Sequence, residues 1–281
     1  MVRIVQPEPV VEGAGVRLRR SLGTRALDHL DPFLLLDHFE SADAVDYEAG
    51  FPYHPHRGIE TVTLVRHGQV RHGDSLGHRG MIGAGDIQWM TSGSGILHEE
   101  MPQVRPEGIA GLQLWLNLPA RDKMSRPKYR DLAAEQLVEA ETAEGARLRM
   151  IAGESADGRV SGPVEGLAVA PKFVDVTLRP GTAFREAVPR GHTAFAYVDH
   201  GAVRFGPERT RVEAPALVVF GEGDVVEASA EPGGGRFLLA AARPLGEPIA
   251  RYGPFVMNTR AEIEQTLHEL RTGSFIREEA D

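Results

Sequence analysis

The chain has 281 residues and a formal net charge of −9 at neutral pH, from 31 Lys and Arg against 40 Asp and Glu. That balance excludes a mainly electrostatic binder of nucleic acid or of an anionic membrane, which needs a basic face. Cysteine is absent, so disulfides, thiolate zinc sites, cysteinyl iron–sulfur clusters and thiol catalysis are excluded, and any metal must sit on nitrogen and oxygen.

Hydrophobic residues at 42% and charged residues at 25% describe an ordinary globular protein, with a length that suits about two domains. The amino terminus, MVRIVQPEPVVEGAGVRL, is interrupted by Pro7 and Pro9 and has no apolar run of signal-peptide length. The FLLL run at 33–36 falls far short of the roughly 20 residues a membrane helix needs. A cytoplasmic monomer is expected.

Along the chain, Gly (32) and Pro (19) punctuate short runs rich in Val, Ile, Leu and Thr. These are IETVTLV (59–65), DIQWM (86–90), GLQLWLNL (111–118), FVDVTL (173–178), AFAYV (194–198) and RFLLAAA (236–242). In GLQLWLNL, Leu112, Leu114, Leu116 and Leu118 alternate with Gln113, Trp115 and Asn117, the period of a strand with one buried face. Short strands at regular spacing predict an all-β chain of jelly-roll-like barrels. The polar stretch PARDKMSRPKYRD (119–131) breaks the rhythm and reads as a linker. Two domains follow, 1–125 and 126–281, the second ending in a short helix. That helix is predicted from Asn258 as N-cap, Ile263, Leu267 and Leu270 at i, i+4 and i+7, and Gly273 as the stop.

Of the 11 histidines, eight fall in the first 98 residues: His29, His38, His54, His56, His67, His72, His78 and His98. Two pairs stand out, His54 with His56 in FPYHPHRG and His98 with Glu100 in GILHEEMP. Residues i and i+2 of a strand share a face, so each pair projects two donors the same way. A lone His-x-His is more often a solvated surface pair. Two such pairs on facing strands, the second just after the glycine-rich turn TSGSG, supply three imidazoles and one carboxylate to one ion. That donor set suits iron, manganese, nickel or copper. His72, Asp74 and Ser75 lie in a turn-rich segment, where turn hydrogen bonding competes with a role in orienting a ligand imidazole. Trp89 and Met90 read as core.

The blocks HPHRGIETVTLV, GDIQWMTSGSGILHEEMP and GLQLWLNLP resemble the pirin family of the cupin superfamily. LDPFLLLDHF upstream and GEPIARYGPFVMNT downstream look like pirin segments too, so the resemblance covers nearly the whole chain. It implies two cupin domains, with one Fe(2+) in the amino-terminal one on His54, His56, His98 and Glu100. Nickel, copper, manganese and zinc stay open. The general cupin pattern takes its carboxylate a few residues after His-x-His, which points to Glu60 as a competitor of Glu100. The second domain has no His-x-His, and its His192 and His200 lack a paired carboxylate, so it is expected to be structural.

The resemblance also implies an activity, quercetin 2,3-dioxygenase-type cleavage of a flavonol or similar chelating small molecule with O2 and release of carbon monoxide. In that scheme the metal binds the deprotonated 3-hydroxyl, and Glu100 doubles as ligand and proton acceptor. The same ligand set also serves a non-enzymatic alternative, an iron-dependent redox-sensing regulator whose partner is a transcription factor or metabolic enzyme.

Overall fold

The computed structural model describes residues 3–277. They form two compact units. One joins the amino-terminal residues through Pro7 to Glu135–Pro244; the other joins Glu8–Ala134 to the residues from Leu245 onward. The chain thus partitions differently from the sequence expectation. The carboxy-terminal helix belongs with the first histidine-rich segment, because its apolar stripe has its partners there. Ile263 packs with Phe255, Met257 and Phe275, against which Leu267 and Leu97 also lie.

In the histidine-bearing unit a seven-stranded antiparallel sheet takes the order Lys128–Leu132, Ile87–Thr91, Ile59–His67, Ile109–Asn117, Phe33–Ser41, Val16–Leu22, Glu8–Glu12. A four-stranded sheet has the order Phe51–His56, Ile96–Pro102, Val70–Asp74, Arg79–Ile82. The strand Lys128–Leu132 corrects the linker expectation. Despite its basic residues this segment pairs along Ile87–Thr91 at the sheet edge, where polar side chains are tolerated and discourage further pairing. The period of two in Ile109–Asn117 is kept, with one face in the core and the other partly buried. Leu112, Leu114 and Leu116 are buried on one side, and Ile109, Gln113 and Trp115 line an internal cavity on the other.

The other unit is a nine-stranded sheet system whose longest members are Thr193–Phe205 and Val225–Ala242. Its interior is filled by side chains. Phe237 stands edge-on to Phe184 at 5.5 Å and to Phe205 at 5.2 Å, within a cluster of Val, Leu and Ala. Such packing gives rigidity.

The helix runs Arg260–Thr272. Its N-cap is Thr259, one residue later than predicted. The Thr259 hydroxyl accepts from the Glu262 amide while the Glu262 carboxylate accepts from the Thr259 amide, a reciprocal capping box. Asn258 instead donates its side-chain amide to Glu247 and the Pro248 carbonyl. Gly273 ends the helix at φ 78°, the left-handed conformation that favours glycine. Among the described residues no helix is long and apolar enough to cross a membrane.

Two buried cations hold the segment after Leu245 against the rest of this unit. Lys123 is 1% exposed, and its Nζ donates to the carbonyls of Gly58 (3.0 Å) and Val256 (2.7 Å) and to Asn117 Oδ1 (2.7 Å). Burial brings its pKa down to about 8. At neutral pH it is therefore still an ammonium, with three hydrogens for three acceptors. Arg57 donates to the Ser94 carbonyl (2.6 Å), Thr266 Oγ1 (3.0 Å) and Glu269 (2.6 Å), and its guanidinium lies over the Phe275 ring. Between these ties Gly58 sits at φ 78°, where an added Cβ would come 2.0 Å from the Val256 carbonyl oxygen. Lys123→Met leaves Asn117 Oδ1 and the Val256 carbonyl without the ammonium and the Gly58 carbonyl with only the Leu118 amide, and we expect a loss of about 3 kcal/mol. A lower urea midpoint at unchanged slope would register it.

Candidate metal centre

His54 and His56 leave the strand Phe51–His56 on one face, and His98 comes from Ile96–Pro102 beside it. The register pairs His98 with His54 and Ile96 with His56. Beyond His98 the strands slip. From His54 to Phe51 the first strand advances three residues while the second advances two, from His98 to Glu100. A bulge of this kind bends a strand and re-aims its side chains.

The three rings converge. Their centroids lie 4.4 Å (His54–His98), 4.8 Å (His54–His56) and 4.9 Å (His56–His98) apart. One ring nitrogen from each falls within 4.8 Å of the others. Three nitrogens bound to one ion at about 2.1 Å each lie no more than about 3.6 Å from one another, so the rings draw together by up to about an ångström to close on an ion.

His56 and His98 are buried, and neither ring nitrogen of His98 nor Nδ1 of His56 has a hydrogen-bond partner. Their pKa values are held well below the ordinary histidine range, first by burial and then by the neighbouring imidazoles. The rings are thus neutral with lone pairs available, the state in which imidazole binds a metal. The donor chemistry fits a transition ion.

Glu100 lies on the same strand as His98 and lines the cavity that His54 and His56 also border, about 660 Å³ in volume. The Thr63 hydroxyl is 3.0 Å from Glu100 Oε1 and 2.5 Å from Gln113 Oε1. One hydroxyl has a single hydrogen, so turning the Gln113 amide to present its NH2 satisfies all three groups, with Thr63 donating to the carboxylate. Glu60 is placed elsewhere. Gly58 breaks the chain between the strands that carry His56 and Glu60, which ends any shared parity between them. On its own strand Glu60 is three residues from Thr63 and so faces the opposite side of the sheet. It accepts from Thr91 Oγ1 at 2.7 Å, and burial pushes its pKa up.

On the far side of Ile96–Pro102, His72 faces Glu100 and Asp74 faces His98. Asp74 accepts from the amides of Leu76 and His78, the turn bonding expected of that segment, and also meets the His78 ring. The His72 ring lies 5.6 Å from His98 and stacks on Tyr129 at 4.4 Å. Trp89 and Met90 are fully buried core residues. The cavity wall adds groups that sequence reading missed: Thr63, Gln113, Trp115, Arg20, Asp37 and Arg251. Gln113 and Trp115 had a visible signal, as the non-leucine members of GLQLWLNL. Arg251 had none, since only the fold brings it near.

The sequence matches the Pirin family model over residues 15–116 and the model for the Pirin C-terminal cupin domain over 173–276. A pirin-like protein of Caulobacter vibrioides is 43% identical over 98% of both chains. Human pirin is 40% identical over 92% of this chain and 88% of its own. Among solved structures, a quercetin 2,3-dioxygenase from Acinetobacter baumannii superimposes with a TM-score of 0.86 at 36% identity, covering 98% of this chain and 97% of that one. These likenesses imply a metal cofactor and agree with a fold of two cupin domains.

A transition ion on the three imidazoles requires His56→Ala to abolish stoichiometric metal binding while the far-ultraviolet spectrum stays that of a β protein. Glu60→Gln is expected to keep its metal, and Glu100→Gln to bind it at least tenfold more weakly. Elemental analysis after dialysis against a weak chelator separates the three.

Proposed function

This chain belongs to the pirin family, and on that footing we propose that it is a metal-dependent dioxygenase of the quercetin 2,3-dioxygenase type, acting on a flavonol or a similar chelating small molecule with O2. His54, His56, His98 and Glu100 hold the ion, which the family resemblance makes iron. The carrying observation is the convergence of three imidazoles, with a carboxylate on the neighbouring strand position, beside a cavity of about 660 Å³, within the range of roughly 300–1,000 Å³ usual for small-molecule sites.

Four protein ligands leave one or two positions of a five- or six-coordinate ion for substrate and O2. When bound, the ion supplies Lewis acidity and one-electron exchange with O2. The protein supplies the rest. The apolar wall of Val16, Val70 and Ile109 excludes water from a flat aromatic ligand. In this reading Glu100, on the cavity wall, takes the proton of an acidic hydroxyl brought to the ion. Thr63 fixes the direction in which the carboxylate points, through a bond that is stronger when the acceptor is charged. The likeness to the Acinetobacter baumannii quercetin 2,3-dioxygenase supports the substrate class.

Iron-loaded protein is expected to consume quercetin and O2 in equal amounts with release of carbon monoxide, and to leave quercetin intact under argon. Thr63→Val keeps the metal and lowers kcat about tenfold or more, because the carboxylate loses its orienting donor. Flavonol persisting in air with iron fully bound would refute the assignment.

A further inference from the structure

The cavity has a second charged region, which the chemistry at the imidazoles leaves unused. Two arginines border it, and they differ in how far each is committed. Arg20 grips Asp37 through Nε and one terminal nitrogen, both at 2.7 Å, and meets Glu12 at 2.8 Å through the other. Its charge is balanced twice over, and its fork is closed in the bidentate geometry that suits carboxylates.

Arg251 is different. Among the described residues no carboxylate lies within ion-pair distance of it, and its two hydrogen bonds are long, 3.3 Å to the Leu34 carbonyl and 3.5 Å to that of Gly253. Its side chain is solvent-exposed while also lining the cavity. The guanidinium lies over the indole of Trp115, 5.2 Å from the ring centroid, a placement that orients a cation without neutralising it. Trp115 in turn stands edge-on to His56, at 5.1 Å and 87°. Imidazole, indole and guanidinium thus succeed one another along one wall.

The charges agree with an anionic ligand. Glu12, Asp37 and Glu100 oppose Arg20 and Arg251 on the cavity wall, and a divalent ion turns that balance to one net positive charge. A flat ligand held by the ion at one end would bring its far ring beside Trp115 and within reach of the uncommitted guanidinium.

We propose that Trp115 and Arg251 form a subsite for the part of the substrate farthest from the metal, selecting planar aromatic compounds that carry an acidic group on that ring. The subsite rests on the dioxygenase reading and deepens it, by naming which chelating aromatics are preferred. Trp115 supplies apolar wall and positions the guanidinium, and Arg251 supplies the charge-assisted hydrogen bonds to a carboxylate or ionised phenol.

The test is binding rather than turnover. Zinc-loaded protein, which has no redox chemistry, and metal-free protein are titrated calorimetrically with 3-hydroxyflavone and with its 4′-carboxylate. The native protein is expected to prefer the carboxylate by tenfold or more. Arg251→Gln should erase the preference and change the affinity for 3-hydroxyflavone by less than twofold, whereas Arg251→Lys should keep part of it. Trp115→Leu should weaken both ligands, and thermal melts of each variant confirm that it folds. Equal affinity for the two ligands in the native protein, a preference that survives Arg251→Gln, or failure of both ligands to bind would overturn the subsite. Catalytic failure of iron-loaded protein with the carboxylate preference intact would count against the dioxygenase reading alone. Flavonol turnover without any such preference would count against the subsite alone.

Discussion

Imidazole nitrogens withdrawn from water and given no hydrogen-bond partner set the terms for this half of the molecule. His98 has no exposed surface and neither of its ring nitrogens is paired; His56 is nearly as buried, with Nδ1 unpaired. Each such atom costs free energy in the folded state, and clustering makes it harder for any ring to relieve the cost by taking a proton. A shared cation would relieve one nitrogen on each ring at once. The surrounding structure holds the rings together against that cost. A strand slip stands beside His98, Arg57 is fastened next to His56, and Lys123 ties the backbone at Gly58 to that at Val256.

The two halves of the chain show opposite uses of a β framework. Beyond Glu135 the interior is closed by aromatic and branched side chains, with Phe184, Phe205 and Phe237 in edge-to-face contact. In the histidine-bearing unit the inward positions of neighbouring strands carry Thr63, Gln113, Asp37 and Arg20 instead. These groups satisfy one another in pairs across the wall, so polar side chains stand in a largely apolar cavity without being left unpaired. Such a lining grips a ligand at several points yet leaves its middle against apolar surface.

Much of this was legible in the residues. His-x-His on a strand fixes a shared face within each pair, and the structure adds that the two strands lie side by side, which brings the three imidazoles together. The different surroundings of Glu60 and Glu100 were not legible there. They turn on Gly58, where a left-handed residue interrupts what would otherwise be one strand and resets which side each later residue faces. The segment 128–132 misled because edge strands share their polar composition with linkers. The helix was visible in its period, but its cap was misplaced by one residue since Asn258 and Thr259 are both good caps, and only the reciprocal bond with Glu262 decides between them. Which body the helix joins was hidden, as the partners of Ile263 and Phe275 are set by tertiary packing.

Because Leu245 and beyond complete a body begun at Glu8, the order of synthesis matters. About 200 residues separate Arg57 from Val256, whose amide donates to the Arg57 carbonyl. A ribosome adding about 5–20 residues per second needs roughly 10–40 s to cross that gap. Throughout it the nascent chain displays both histidine strands without their backing, and Glu135–Pro244 can fold in the meantime. The last-made turn and helix thereby close behind His56 only at the end of translation.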